Sequence, residues 1–417
     1  MVRLIPLRVK ERINRAANRA VFDLSYYLQF QPPSLVHSGV KITLRPQPPT
    51  PATRHRVALV TPHLGPGGAE RVLVEIAQSF DRNAFELFLI ATHSRDSRWE
   101  DLWKRHVDHV HDLAAENSPQ EIASALYSLV VNYRMRGLFL QNTLYGYVVL
   151  PQLRKTAPAL RIVDLIHAVG GNWDLASVTA CAARVIDTRI VISDAARRHV
   201  SGLGVDPDRI RLIPNGVDLA RFHPAPLARD GVFRILFAAR LDPVKRSLLL
   251  PQIAAELRRT QPERAFRFIV AGDGPQSAKL HARVQPAGVQ QCFDFRGFVE
   301  DMATLMVEAD VLLLVSSHEG IPLTILEAFA SGRPVVAPLT GAIGEVLNPA
   351  VGVLVSGEHT PAAFANALST LMSDPGLRER MGIAARQRAE RYYDRRQSLD
   401  AYRELSRILL SPVRPDR

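Results

Sequence analysis

The feature that most constrains this chain is an alternation, run through twice, of short uninterrupted apolar segments with longer amphipathic ones. Val57 to Val60 reads as a buried strand, Gly65 to Gly68 as a glycine-rich turn, and Val72, Leu73, Ile76, Ala77 and Phe80 as one face of a helix. Further buried strands are expected at Leu87 to Ala91, Gly137 to Leu140, Ile162 to Ile166 and Arg189 to Ile192, ending at a break at Pro214, Asn215 and Gly216. The second series has strands at Ile235 to Ala239, Phe268 to Ala271, Val311 to Val315, Pro334 to Ala337 and Val351 to Val355. Its helices begin near Ser247, Gln276, Asp301, Pro322 and Pro361. Strands that are apolar throughout have no wet face, so each sheet is expected to be parallel and covered by helices on both sides. The fold class is then α/β, with two Rossmann-like doubly wound domains. Ligands bind beyond the carboxyl ends of parallel strands, which places the expected site in a cleft where the two sheets face each other. The 417 residues divide into a basic N-terminal segment and linker (1–50), a first domain (51–222), a second domain (223–385) and a closing C-terminal helix and tail (386–417), with Arg-rich helices over 376–410.

Charge narrows the partners. The formal net charge is +11, but residues 1–50 hold eight Lys/Arg against two Asp/Glu and residues 375–417 hold eleven against six, leaving 33 of each sign between them. A neutral middle is not the pattern of a nucleic-acid-binding core, so no nucleic-acid partner is expected. Val9, Ile13, Ala17, Ala20, Leu24 and Leu28 form a helical stripe, while Arg8, Lys10, Arg12, Arg15 and Arg19 occupy other faces. This basic amphipathic helix either lies on an anionic membrane surface, with Phe22, Tyr26 and Tyr27 at the interface, or packs on protein. Proline-rich stretches at Gln31 to Pro33 and Pro46 to Pro51 read as an extended linker. No run reaches the roughly 18 apolar residues of a spanning helix. Arg3, Arg8, Lys10 and Arg12 break up any signal-like apolar stretch, so a cytoplasmic protein without a cleaved secretory signal is expected, possessing at most peripheral contact with the inner face of the membrane. Cys181 and Cys292 lie far apart without metal-ligand spacing and read as reduced thiols.

The segment His318 to Ala328 carries the most chemistry. It starts at the carboxyl end of the strand Val311 to Val315 and enters a helix, with Pro322 near the first turn and Gly332 just past the end. Amides at that start, those of Leu323 and Thr324 among them, together with the helix dipole, favour a phosphate; Pro322 has no amide to offer. Glu319 sits in the loop before the helix and Glu327 eight residues on, where two carboxylates beside an anion suit hydroxyl recognition. Arg240 and Lys245 follow the strand Ile235 to Ala239 and supply a bidentate guanidinium and an ammonium, which a diphosphate leaving group requires.

With these residues the chain resembles the retaining GT-B glycosyltransferases of family 4. The matching blocks are PNGVD (Pro214 to Asp218), Arg240 to Lys245, VAGDGP (Val270 to Pro275), FRGFVED (Phe295 to Asp301) and EGIPLTILEAFASGRPVV (Glu319 to Val336), with a weaker GGAER at Gly67 to Arg71. They span about residues 55 to 395. The resemblance implies that Arg240 and Lys245 bind the donor diphosphate, Glu327 the ribose and the backbone near Val299 the base. Glu319 would face the transferred sugar, and Gly320, Ile321, Leu323 and Thr324 would contact the donor at the helix start. Gly67 and Gly68 would close over the donor from the first domain, and His167 would stand near the reacting sugar. Asp164, Trp173 and Asp174 are candidates for the acceptor side. Ala239 and Arg246 stand where the family often has glycines, and Ala342 interrupts a usual Gly-Gly; none of these removes a charged donor contact.

The implied reaction moves a sugar from a nucleoside-diphosphate sugar to a glycan or lipid-linked acceptor, with retained configuration and without a metal or other cofactor. Surface polysaccharide or glycolipid assembly is the implied setting. The same residues would also serve a GT-B sugar-nucleotide epimerase or a non-catalytic sugar-nucleotide-binding scaffold.

Overall fold

The computed structural model describes residues 54–93, 97–118, 121–169, 180–227 and 230–410. The expected basic helix and linker of residues 1–50, and Trp173 and Asp174, lie outside the described residues. The chain forms two compact units divided between Ile213 and Pro214, and from Leu399 it returns to the first. The sequence boundary at 222/223 thus falls later than the structural one. The last helix, Arg395–Leu410, begins in the second unit and ends in the first.

The first unit is built on a seven-stranded parallel sheet in the order β3-β2-β1-β4-β5-β6-β7. Its strands are β1 (His55–Thr61), β2 (Phe85–Ala91), β3 (His109–Asp112), β4 (Gly137–Gln141), β5 (Arg161–Ile166), β6 (Thr188–Val191) and β7 (Ile210–Leu212). Val57 to Thr61 are all buried, as a strand covered on both faces requires. One face packs Ala58, Val60, Phe88 and Ile90 under Leu126 and Leu129 of the helix Ile122–Asn132 and Val149 and Leu150 of the helix Leu144–Thr156. Each such fully buried Val, Leu, Ile or Phe side chain contributes about 1.5–3 kcal/mol.

The second unit repeats the plan with six parallel strands in the order β10-β9-β8-β11-β12-β13. They are β8 (Val232–Ala238), β9 (Ala265–Ala271), β10 (Phe293–Gly297), β11 (Val311–Leu313), β12 (Val335–Pro338) and β13 (Gly352–Val355). Ile235, Phe237, Phe268 and Val270 pack against Ile253 and Leu257 of the helix Leu250–Thr260 and Phe364 and Leu368 of the helix Pro361–Ser373. Both units are therefore doubly wound Rossmann-like domains. Strand order reverses between β1 and β4 in one and between β8 and β11 in the other, and these switch points are where such sheets open a crevice.

Three strands lack the apolar run that marks the others. β3 (HVHD), β7 (IRL) and β10 (FDFRG) are edge strands with little full burial, so no continuous hydrophobic signal is required of them.

Candidate functional site

In the second unit the backbone beyond β8 continues alongside the glycine-rich turn after β9, with the Ala239 amide donating to the Ala271 carbonyl and the Leu241 amide to the Asp273 carbonyl (3.1 and 2.9 Å). Gly272 makes that contact possible: it has φ +142°, and a Cβ there would lie 1.9 Å from the Ala239 carbonyl oxygen. Asp242 then caps a short 3₁₀ turn, Pro243–Lys245, by accepting from the Lys245 amide. Arg246 adopts a left-handed φ of 51°. This tight turn carries the Lys245 ammonium to the Glu319 carboxylate, 2.5 Å from Nζ to Oε1.

Glu319 is held from several directions. The Ser317 amide donates to the Val244 carbonyl at 2.8 Å, tying the loop before Glu319 to the turn that carries Lys245. Behind it Gly341, at φ +54°, leaves no Cβ where one would stand 1.8 Å from the Glu319 carbonyl oxygen, and the Ala342 amide donates to that oxygen at 3.3 Å. The Glu319 side chain is buried (9% exposed), so its charge needs the partner that Lys245 provides. Arg240 stands at the same strand end with an exposed guanidinium, 3.4 Å from Asp242. Gly320 and Ile321 continue the loop, and the buried Asn215 side chain donates to the Ile321 carbonyl at 3.2 Å. The helix Leu323–Ala330 follows, with Pro322 at its N-cap and no side-chain cap on its first turn. The Leu323 and Thr324 amides thus precede the first intrahelical bond, next to the Lys245–Glu319 pair. Glu327 is buried on this helix (7% exposed), which excludes a merely solvated face. Val299 is half-buried in the loop after β10, which the Gly272 amide joins to the glycine-rich turn by donating to the Gly297 carbonyl.

The first unit differs in kind. Trp103, fully buried, donates from its indole to the Leu64 carbonyl at 3.1 Å and anchors the loop that runs to Gly67. Gly67 caps the helix Gly68–Ser79 in an extended conformation, and the Glu70 carboxylate folds back into the space that a Cβ on Gly67 would need. His167 lies half-buried just beyond β5, its Nε2 3.0 Å from Oε1 of Gln141. Burial pushes the His167 pKa down to about 4, so the imidazole is neutral at physiological pH. Asp164 does not line an open surface. It is fully buried in β5, opposite Arg189 of β6 in the strand register, with Arg189 Nε at 3.2 Å and the Tyr147 hydroxyl donating at 3.3 Å. Burial raises its pKa to about 6 against the opposing pull of Arg189 and Tyr147. The expectation that Asp164 faces an acceptor is corrected: a carboxylate reads alike in sequence whether it meets solvent or a buried arginine on the next strand of the sheet.

The structure thus brings Arg240, Lys245, Glu319, Gly320, Ile321, Leu323 and Thr324 to the carboxyl ends of β8 and β11, the switch point of the second unit, and sets Gly67, Gly68 and His167 at strand ends of the first. Sequence reasoning gave no role to Asn215 or Gln141. Asn215 stands in a Pro-Asn-Gly stretch that signals only a turn, and its bond to Ile321 spans 106 residues.

Both units match known protein families. Residues 66–221 match the model for Glycosyltransferase Family 4, and residues 232–374 match that for Glycosyl transferases group 1. Among curated proteins, the D-inositol 3-phosphate glycosyltransferase of Kineococcus radiotolerans is 34% identical over 232 residues, 49% of this chain and 53% of that protein. The protein of the same name from Pseudarthrobacter chlorophenolicus is 36% identical over 222 residues, 50% of this chain and 52% of that protein. The chain spans about half the length of the curated relatives it matches. Among solved structures, HepE of Anabaena in complex with UDP and glucose superposes with a TM-score of 0.71 at 21% identity, covering 86% of this chain and 99% of that one. Sucrose-phosphate synthase of Thermosynechococcus elongatus gives 0.71 at 20% identity, with the same coverage.

Proposed function

Because the chain belongs to the GT-B glycosyltransferases, we propose that it moves a sugar from a nucleoside-diphosphate sugar to a glycan or lipid-linked acceptor, with retention of configuration and without a metal. The observation that carries this reading is the Lys245–Glu319 pair beside the uncapped helix start at Leu323, with Arg240 at the same strand end. Breaking a sugar–diphosphate bond builds positive charge on the anomeric carbon and negative charge on the leaving phosphate. Lys245, Arg240 and the Leu323 and Thr324 amides stabilise the growing negative charge, and Glu319 lies on the sugar side. With those groups neutralising the leaving group, a divalent ion has no further task there. The acceptor hydroxyl attacks from the face the phosphate leaves, and the phosphate takes its proton; the two-carboxylate scheme of retaining hydrolases does not apply. Glu327 binds the ribose and the backbone near Val299 the base. His167, neutral, meets a sugar hydroxyl rather than a phosphate.

The setting we propose is assembly of surface polysaccharide or glycolipid at the cytoplasmic face of a membrane, the basic N-terminal segment lending peripheral attachment. Among the described residues no helix is long and apolar enough to cross a membrane. The names of the curated relatives add a phosphorylated polyol to the acceptors worth testing, and a further solved complex of Anabaena HepE, with UDP-glucose, makes that sugar nucleotide the first donor to try. The test is nucleotide release from UDP-, GDP- and ADP-sugars with lipid-linked, glycan and polyol-phosphate acceptors, in EDTA, with product anomeric configuration read by NMR. Acceptor-dependent release with the donor configuration kept is the expected result. Isomerised sugar nucleotide without transfer, inverted product, or activity restored only by magnesium or manganese would overturn the corresponding part.

A further inference from the structure

The first unit holds a row of polar side chains at the carboxyl ends of four neighbouring strands, and the reaction proposed above uses one of them. In sheet order, Thr92 follows β2, Thr61 ends β1, Gln141 ends β4 and His167 follows β5. Thr61, Thr92 and Gln141 have no exposed surface, so their polar atoms must be answered within the protein. The Gln141 carboxamide is held at both ends: its oxygen lies 3.0 Å from His167 Nε2, and its nitrogen donates to the Thr61 hydroxyl at 3.5 Å. Thr92 braces the far end of the row, its hydroxyl 2.9 Å from that of Thr143 and donating to the Thr61 carbonyl at 3.3 Å. The amide is thus fixed in a rigid frame of strand ends, and nothing about His167 itself requires so elaborate a partner if the ring only fills space.

We propose that Gln141 is a positioning residue that holds His167 in the tautomer protonated at Nε2, so that Nδ1 presents its lone pair to a hydroxyl of the substrate. A carboxamide oxygen can only accept, so the Nε2 facing it carries the proton, and a neutral imidazole then keeps its one acceptor at Nδ1. Among the described residues no group is bonded to Nδ1. The same contact sets the ring plane, because swinging the imidazole away would strand a buried amide oxygen. This inference rests on the reading that His167 faces the reacting sugar, and it adds the residue that decides which ring nitrogen does so.

The test is ¹⁵N NMR of the full chain labelled at histidine, with the His167 signals identified by their absence in His167→Asn. The proposal expects the unmodified protein to show a protonated Nε2 and an unprotonated Nδ1. Gln141→Leu should give a mixed or reversed tautomer and lower kcat by about tenfold with the donor KM nearly unchanged, because an orienting contact is lost rather than uniform binding. Gln141→Glu, which keeps an acceptor at that place, should retain the tautomer and recover most of the turnover. Protonation at Nδ1 in the unmodified protein, or a Gln141→Leu variant with unchanged tautomer or full turnover, overturns the proposal. The tautomer is read without substrate, so a failure of the transfer reading is seen separately, as no turnover in the unmodified protein or full turnover in His167→Asn.

Discussion

The ends of β8 and β11 in the second unit carry formal charges that answer one another, whereas those of β1, β2, β4 and β5 in the first carry neutral groups locked into a hydrogen-bond row. Lys245 and Glu319 stand 2.5 Å apart beside an uncapped helix start and an exposed Arg240. His167, Gln141, Thr61 and Thr92 present no net charge at all, His167 being held neutral by burial. Under the proposed reaction the difference is a division of labour within one fold plan: one sheet would take an ionic leaving group, the other would orient hydroxyls. Asp164 and Arg189, buried in neighbouring strands of the first unit, are spent on each other inside the sheet.

The largest expected effect breaks the charged side of this comparison. Glu319→Gln keeps shape but removes the negative charge nearest the developing positive anomeric centre, and should lower kcat by on the order of 10²–10³. The same substitution frees Lys245 from its 2.5 Å partner, so free nucleoside diphosphate should bind a few times tighter while transfer slows. Glu319→Gln with full turnover would assign the sugar-side charge elsewhere.

Next in size is the buried pair of the first unit. Asp164 has a folded pKa raised to about 6 from an unfolded value near 4, so between those values the folded state holds a proton that the unfolded state has lost. Stability contributed by this group therefore falls as pH rises from about 4 to about 6 and levels off above. Asn mimics the protonated acid at every pH. The penalty of Asp164→Asn should accordingly shrink across that window, by on the order of 1–3 kcal/mol, in paired thermal or urea melts at pH 4 and pH 7. A penalty that grows with pH would mean that attraction to Arg189 outweighs burial.

The smallest effect sharpens the roles of the two glutamates. Glu327→Ala should raise the donor KM about tenfold and leave kcat nearly unchanged, as loss of binding equal in ground and transition states does. A collapse of kcat instead would move Glu327 to the reacting centre.

The two regions were also unequally legible in the sequence. β1 and β8 announce themselves because strands covered on both faces must be apolar throughout, and the helix start at Pro322 is written in local residues that carry their own chemistry. Arg240, Lys245 and Glu319 could be grouped because strand ends of a parallel sheet share one edge. Nothing local in the sequence distinguishes the Asp164 that pairs with a buried arginine from one that faces an acceptor, nor marks Gln141 as more than the end of a strand. Those assignments depend on which strands are neighbours: β4 lies between β1 and β5, and that order sets Gln141 between Thr61 and His167. Edge strands such as β3 and β10 escape for the opposite reason, since with little burial they need no hydrophobic pattern.

The central claim is that the second unit seats a diphosphate on Lys245, and calorimetry of UDP, GDP and ADP binding to the unmodified protein and to Lys245→Ala tests it most directly. At least one of the three nucleotides should bind in EDTA, and its affinity should fall by about 30-fold or more in Lys245→Ala, which loses a charge-assisted contact of about 2 kcal/mol or more. No binding of any of them, or equal affinity in the two proteins, would contradict the account.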